Sequence, residues 1–217
     1  MSGAIIVGVG PGIGTAVARR VARERLAIGI IARREATVDA VLEALSDADA
    51  LGVTADVTDE SGLRTALDEI IDRFGVPKLL VYNAALIRQD TIGELTAREQ
   101  LDAWAVNVVG AITAVAHVAP AMVAAGGSTI VMTGGMPQPD AAVTSLSLGK
   151  AGVRALTELL DRAYGPRGLH VATVTVAGAV APGGPYDPDE IAEHYWRLHQ
   201  QPPARWEREV LYAGRPE

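Results

Sequence analysis

Near the N-terminus the sequence reads Gly8-Val9-Gly10-Pro11-Gly12-Ile13-Gly14, with glycine at every second position. Glycine lets a backbone approach a phosphate closely, and a helix that starts at such a turn offers free N–H groups and partial positive charge. The turn follows the apolar run Ala4–Val9 and precedes the amphipathic stretch Thr15–Glu24. Strand, glycine turn and helix in that order are the context in which a pyrophosphate is held. A second feature closes the next apolar run, Ala27–Ala32, which is followed by Arg33 and Arg34. A guanidinium fork matches a phosphate bidentately, so this pair is read as a site for a further phosphate rather than a solvated strand end. The third feature is Lys150. The chain has 17 Arg and only two Lys, Lys78 and Lys150, so a lysine here is set apart from generic surface charge.

Other chemistries are excluded by what the chain lacks. There is no cysteine, hence no disulfide, thiolate metal site or cysteine nucleophile. His117, His170, His194 and His199 are scattered, and the last two are five apart, off the spacing that stacks ligands on one helix face. No metal site is expected. The net charge of −7 and pI of about 5.1, without a basic block, argue against a nucleic-acid partner. No apolar run reaches the roughly 18 residues of a membrane span. The start MSGAIIVGVGPG has no basic segment of a secretory signal, so the expected location is the cytoplasm.

The elements that must position these residues alternate. Apolar, β-branched runs at Ala4–Val9, Ala27–Ala32, Ala50–Thr54, Leu79–Tyr82, Thr129–Met132 and His170–Val176 read as strands, with a short last one at Glu209–Tyr212. Helical spacing covers Thr15–Glu24, Thr37–Leu45 and Glu60–Phe74, a long helix Ala97–Ala125 with Pro120 near its end or at a kink, Thr144–Tyr164, and Asp187–Gln200. Alternation of this kind predicts an α/β fold: a Rossmann-like, doubly wound parallel sheet of about seven strands with helices on both faces. The 217 residues form one nucleotide-binding domain, residues 1–217. The Pro/Gly-rich loop Ala181–Pro188 follows a strand and falls at the carboxyl edge, where ligands bind.

The spacing Gly-x-x-x-Gly-x-Gly resembles that of the short-chain dehydrogenase/reductase family, with Val7 at the family's Thr position. The resemblance runs through Asp56 and Val57, similar to the family's adenine-holding pair. It continues through Asn83-Ala84-Ala85, similar to its Asn-Ala-Gly, and Asn107, similar to its active-site Asn. Lys150-Ala151-Gly152 matches the end of its catalytic signature, and Gly178 and Val180 lie in a Pro-Gly-x-Val segment that has lost its Pro. It implies a nicotinamide dinucleotide held by Gly8, Gly10, Pro11, Gly12, Ile13 and Gly14, by Asp56, Val57, Asn83, Ala84 and Ala85, by Lys150, and by Gly178 and Val180. Ala32 stands where NAD-binding members carry a carboxylate for the ribose, so NADP(H) is expected over NAD(H), with Arg33 first and Arg34 second at the 2′-phosphate.

The pattern breaks at the chemistry. The family's Tyr lies four residues before its Lys, where this chain has Leu146; its Ser falls on Gly134 or Gly135. Asn107 and Lys150 alone carry over. Candidate substitute proton donors are Ser147, three before Lys150, then Thr133 at the end of the fifth strand and Tyr186 in the loop after the sixth, with His194 on the short helix that follows. Only residues 179–217 follow Gly178, so the C-terminal lid is shortened, with Asp187–Gln200 as its one helix and an open, wet site behind it.

The leading expectation is an NADP(H)-dependent oxidoreductase that transfers hydride to or from a small carbonyl, imine or conjugated substrate with a non-standard proton donor. The alternatives are a catalytically inactive nucleotide-binding sensor or partner subunit, and a structural protomer. Apolar residues on more than one face of the two long helices (Val115, Val118, Met122; Leu156, Leu159, Leu160) predict association. The resemblance implies a homodimer or homotetramer.

Overall fold

Continuous β-branched runs give strands that must be covered on both faces, and the chain arranges them in one sheet. The structure is a computed structural model, and it describes residues 3–215. Seven strands, β1 (Ala4–Val7), β2 (Ile28–Ala32), β3 (Ala50–Thr54), β4 (Leu79–Tyr82), β5 (Ser128–Gly135), β6 (Leu169–Val176) and β7 (Glu209–Tyr212), are ordered 3-2-1-4-5-6-7. All six pairings are parallel. The strand order reverses between β1 and β4, and the crevice beyond their carboxyl ends is where such sheets bind ligands.

Helices cover both faces. On one side lie α1 (Ile13–Ala22), α2 (Glu35–Glu43) and α7 (Pro188–His199), over a core that includes Ile6, Ile28, Ile30, Val131 and Val174. On the other lie α3 (Glu60–Phe74), α5 (Gly110–Ala125) and α6 (Thr144–Tyr164), over Ile5, Val7, Ile31, Leu80, Ile130 and Val171. Alternate residues of each strand thus feed opposite cores, as the period of two requires.

Three expectations are corrected. The predicted lid helix is a layer helix: Ile191, Tyr195 and Leu198 of α7 are fully buried against the sheet, and Arg19–Asp189 and Arg20–Glu193 ion pairs strap α7 to α1. Among the described residues, what stands over the carboxyl edge after β6 is the loop of residues 177–187, tied to residues 213–215 that follow β7. The long helix is interrupted, but not by Pro120, which sits inside α5. After α4 (Ala97–Trp104) comes a π-helical turn, Ala105–Val109. Finally, Val115, Val118 and Met122 are fully buried in the protein's own core, and Leu156 and Leu160 pack against it, so they form no association face. The exposed apolar residues of these helices are Leu101, Trp104, Val109, Ile112, Leu148 and Leu159. The continuous helical stretch Ala97–Ala125 is also long and apolar enough, by composition, to cross a membrane, although half of it is buried inside the protein, as a core helix is.

Candidate active site

The glycine turn opens at the switch point. Gly8 has φ +87°, and a Cβ there would sit 2.3 Å from the Ala84 nitrogen, so β4's continuation packs directly on the turn. At Gly14 a Cβ would meet Val9 Cα at 2.7 Å. These two glycines are required by the fold. Gly10 and Gly12 are different: a Cβ at Gly10 would meet nothing within 4 Å, and one at Gly12 only Val180, at 3.9 Å. No packing demands them, and the open space lies where a phosphate would approach. Gly12 caps α1 without any side-chain hydrogen bond, which leaves the N–H groups of Ile13 and Gly14 pointed at that space. Pro11 between them is exposed. The residues present therefore fit a pyrophosphate. Arg33 and Arg34 are exposed past β2 and make no ion pair among the described residues. Asp56 takes the N–H and hydroxyl of Thr58 on Oδ1, at 2.9 and 2.8 Å, and keeps Oδ2 for another donor. Val57 packs beside it on the core.

Asn83 and Thr133 lock this end of the sheet. Asn83 Nδ2 donates to the Gly8 carbonyl at 2.7 Å, and its Oδ1 accepts from the Thr133 hydroxyl at 2.8 Å. The Thr133 oxygen is also 2.7 Å from the buried Tyr195 hydroxyl of α7. With its proton held by Asn83, Thr133 has the geometry of a strut and not of a free donor.

Lys150 reaches the same strand end from the opposite face. It is buried, and its Nζ donates to the Thr133 carbonyl at 2.7 Å. Desolvation alone lowers its pKa to about 8. The reading of Lys150 as a surface lysine is thereby excluded. Gly135 lies beside it: a Cβ there would meet Lys150 Cε at 3.7 Å, an ordinary contact, whereas one at Gly134 would strike the Thr173 and Thr175 hydroxyls at 2.6 Å. Of the two glycines at the family's Ser position, Gly135 is the one on the lysine's side. Leu146, one turn before Lys150, is buried and brings no proton.

Asn107 sits in the π turn, buried, with Oδ1 accepting from the Leu86 N–H at 2.8 Å and Nδ2 without a partner. The turn is caused by a contact from β4. The Tyr82 hydroxyl donates to the Val106 carbonyl at 2.6 Å, and Gly110 leaves it room, since a Cβ there would lie 2.4 Å from that hydroxyl. A side chain inserted into the helical ladder widens it by one residue. α6 then closes on Asn107 because Gly149 has no Cβ, which would come within 2.7 Å of it.

The other proposed proton donors have fixed partners. The Ser147 hydroxyl donates to the Asp140 carbonyl at 3.1 Å and accepts its N–H at 3.0 Å, holding the β5–α6 loop. The Tyr186 hydroxyl donates to the Ala213 carbonyl at 3.0 Å while its ring covers Gly178. His194 lies against the Tyr212 ring at the sheet edge. None of these is directed at the Lys150 end of β5. Ala85 is part-buried, and Gly178 and Val180 are exposed in the loop over the glycine turn.

Two positioning residues escaped the sequence analysis. Asp90 is buried after β4, and its carboxylate accepts the Ser145 N–H and hydroxyl at 2.9 and 2.7 Å, capping α6 from a distant loop. Arg154, one turn beyond Lys150, donates to the carbonyls of Gly135 and Met136 at 2.8 and 3.0 Å and stabilises Met136 at φ +50°. Its spacing of four from Lys150 was the available signal; Asp90 carried none.

Comparison with known proteins agrees with this geometry. The family model for short chain dehydrogenases matches residues 2–184. A cis-4-hydroxycyclohexanecarboxylate dehydrogenase of Sinomonas cyclohexanicum is 33% identical over 187 residues, which span 83% of this chain and 72% of that protein. Among solved structures, a short-chain dehydrogenase from Rhodopseudomonas palustris superposes with a TM-score of 0.85 at 21% identity, over 99% of both chains. An NADPH-bound short chain oxidoreductase from Pseudomonas aeruginosa PAO1, described as containing an atypical catalytic center, gives 0.89 at 20%, over 97% of this chain and 94% of that one. The sheet order, the glycine turn at its switch point and the matched sequence together make this chain a member of the short-chain dehydrogenase/reductase family of oxidoreductases.

Proposed function

We propose that the protein is an NADP(H)-dependent oxidoreductase that transfers hydride to or from a small carbonyl, imine or conjugated substrate without the usual tyrosine and serine. The carrying observation is the buried Lys150 at the strand end that borders the open glycine turn. A lysine with no carboxylate partner, held against a backbone carbonyl, needs a functional reason to be buried, since an apolar residue would sit there at far lower cost. When bound, the dihydronicotinamide supplies the hydride. Gly10 and Gly12 and the start of α1 would hold its pyrophosphate, Asp56 and Val57 its adenine, and Gly178 and Val180 its nicotinamide end. Ala84 and Ala85 shape the floor beside Gly8, and Lys150 binds the ribose. Asn107 holds the backbone of Leu86 at the site's edge. Arg33, with Arg34 behind it, favours the 2′-phosphate, and Ala32 offers no carboxylate to a free ribose hydroxyl. Two solved structures of the same fold are described as holding NADP and NADPH.

The loop of residues 177–187 leaves the substrate side open, which suits substrates that do not depend on strong acid catalysis. With this reading go a single nucleotide-binding domain, a cytoplasmic location and a homodimer or homotetramer. The exposed face of Leu101, Trp104, Leu148 and Leu159 on α4 and α6 is the surface to be covered. The test is titration with NADPH and NADH, followed by tryptophan-to-nicotinamide energy transfer. NADPH binding more than about tenfold tighter than NADH, roughly 1.4 kcal/mol, is the expected result. Failure of both to bind would overturn the proposal.

A further inference from the structure

The hydroxyls near the end of β5 are committed. Thr133 donates to Asn83, Ser147 to Asp140, and Ser145 to Asp90, while Tyr186 donates to Ala213. Tyr82 donates to Val106 from the other core, and Tyr195 bonds Thr133 from the far face. Leu146 has no proton to offer. Two groups with unspent N–H bonds remain beside the strand end, the Asn107 amide, far too weak an acid to give up a proton, and the Lys150 ammonium. Lys150 Nζ carries three N–H bonds and spends one, on the Thr133 carbonyl. Beside it a Cβ at Gly135 would make ordinary contacts, none nearer than 3.6 Å.

Resting on the oxidoreductase reading, we propose that Lys150 is itself the general acid, giving its proton to the substrate oxygen directly or through one water. The balance closes. Hydride adds to the carbonyl carbon, the C=O π pair moves onto oxygen, and that oxygen takes a proton from the ammonium. The neutral amine left behind is reprotonated by solvent, so one carbonyl, one reduced dinucleotide and one proton give an alcohol and the oxidised dinucleotide.

The surroundings tune the lysine for this. Burial, with no carboxylate facing it, brings its pKa to about 8, near the pH at which a general acid works best. The charged groups around it are turned elsewhere. Arg154 holds the Gly135 and Met136 carbonyls, Asp90 binds Ser145, and the Asp140 carboxylate accepts from Ala142 N. Asn107, across from Gly149, is neutral.

The two lysines of this chain make the idea directly readable. Protein labelled with 13Cε-lysine gives two side-chain signals, and Lys150→Arg identifies the one that belongs to residue 150. That signal is expected to titrate near pH 8, whether or not substrate is known. In kinetics with NADPH and an activated ketone, kcat/KM is expected to fall about tenfold per pH unit above the same midpoint. Lys150→Arg keeps a cation that does not give up its proton near neutral pH. It is expected to lower the ratio of ketone reduction to reduction of an N,N-dialkyl iminium ion, which needs no proton, at least 10²-fold, with both rates compared at saturating NADPH. A lysine signal that titrates only above pH 10, a flat pH profile, or full ketone reduction by Lys150→Arg would overturn the assignment and leave the oxidoreductase reading standing. NADPH binding without turnover of either compound by the unmodified protein would instead sink that reading, and this assignment with it.

Discussion

At the scale of single residues, the proposed carbonyl chemistry turns on two positions, Gly135 and Leu146. Gly135 tolerates a Cβ, whose nearest neighbours would be the Val176 carbonyl and two Lys150 carbons at ordinary distances of 3.6–3.8 Å. Leu146 stands one helical turn before Lys150, on the same face. The double variant Gly135→Ser, Leu146→Tyr is therefore expected to raise kcat/KM for a simple ketone about 10²-fold or more. A steady-state assay with NADPH checks this, and no gain would mean that the cleft cannot seat such a substrate. At the cofactor's other end, Arg33→Ala is expected to weaken NADPH binding about tenfold and leave NADH unchanged, the size of one charge-assisted hydrogen bond to phosphate. Equal losses for both nucleotides would show that Arg33 acts through the fold and not through the 2′-phosphate. The identities of Lys150, Asn107 and the glycines were legible in the sequence because backbone approach and charge depend on residue type. The engagement of Thr133 and Ser147 was not, because a hydroxyl's partner is set by a chain segment folded against it from elsewhere.

At the scale of elements, the site is built by contacts between segments far apart in sequence. α6 begins at Thr144 without a side-chain cap of its own, and Asp90 supplies one from the loop after β4. The same residue's backbone exchanges hydrogen bonds with Ala142 and Thr144. Its negative charge also lies at the positive end of the helix that carries Lys150. Asp90→Ala removes a buried acceptor pair and leaves the Ser145 donors unpaired, so a loss of about 1–3 kcal/mol is expected in denaturant unfolding. Hydrogen exchange should accelerate in the first turn of α6 before it does in β5; uniform acceleration would show a global effect only. The strands were legible because a strand buried on both faces needs an unbroken apolar run. The π turn was not. Its cause is Tyr82 of β4 donating to Val106, and the sequence offered only Pro120, which α5 accommodates. The position of α7 was likewise decided by partners: its apolar stripe fits a lid or a layer, and the pairs with Arg19 and Arg20 make it a layer.

At the scale of the whole molecule, three of the four histidines bear on stability, and all three sit on the α7 side. His170 opens β6, stacks on Trp206 at 4.9 Å and bonds the Glu207 carbonyl through Nε2. His199 ends α7, with Nδ1 3.1 Å from the Thr129 hydroxyl, and His194 lies one turn earlier against Tyr212. Burial, as the largest cause, holds each below its ordinary value of 6.5; His170 and Lys78 add to it for His199, and Arg197 for His194. The sign follows from proton counting. Between the lowered folded values and 6.5, the unfolded chain binds more protons than the folded one, so stability rises with pH there. The contribution is complete above about 6.5 and is lost as pH falls through the folded values. Asp59, Glu99 and Asp187 are displaced downward from carboxylate values of 3.8 to 4.5, so their losses come at more acidic pH and leave the histidine window distinct. Lowering the pH from 7.5 to 5.5 is thus expected to lower Tm by a few degrees, at roughly 2–4 °C per kcal/mol for a chain of this size. Scanning calorimetry across that range checks it. His170→Gln, which cannot titrate, should flatten the slope even if it lowers Tm throughout, because only the pH-dependent part belongs to protonation. An unchanged slope in that variant would mean that His170 takes up its proton without disturbing the β6–α7 packing. The acid sensitivity would then have to be sought in His199 and His194.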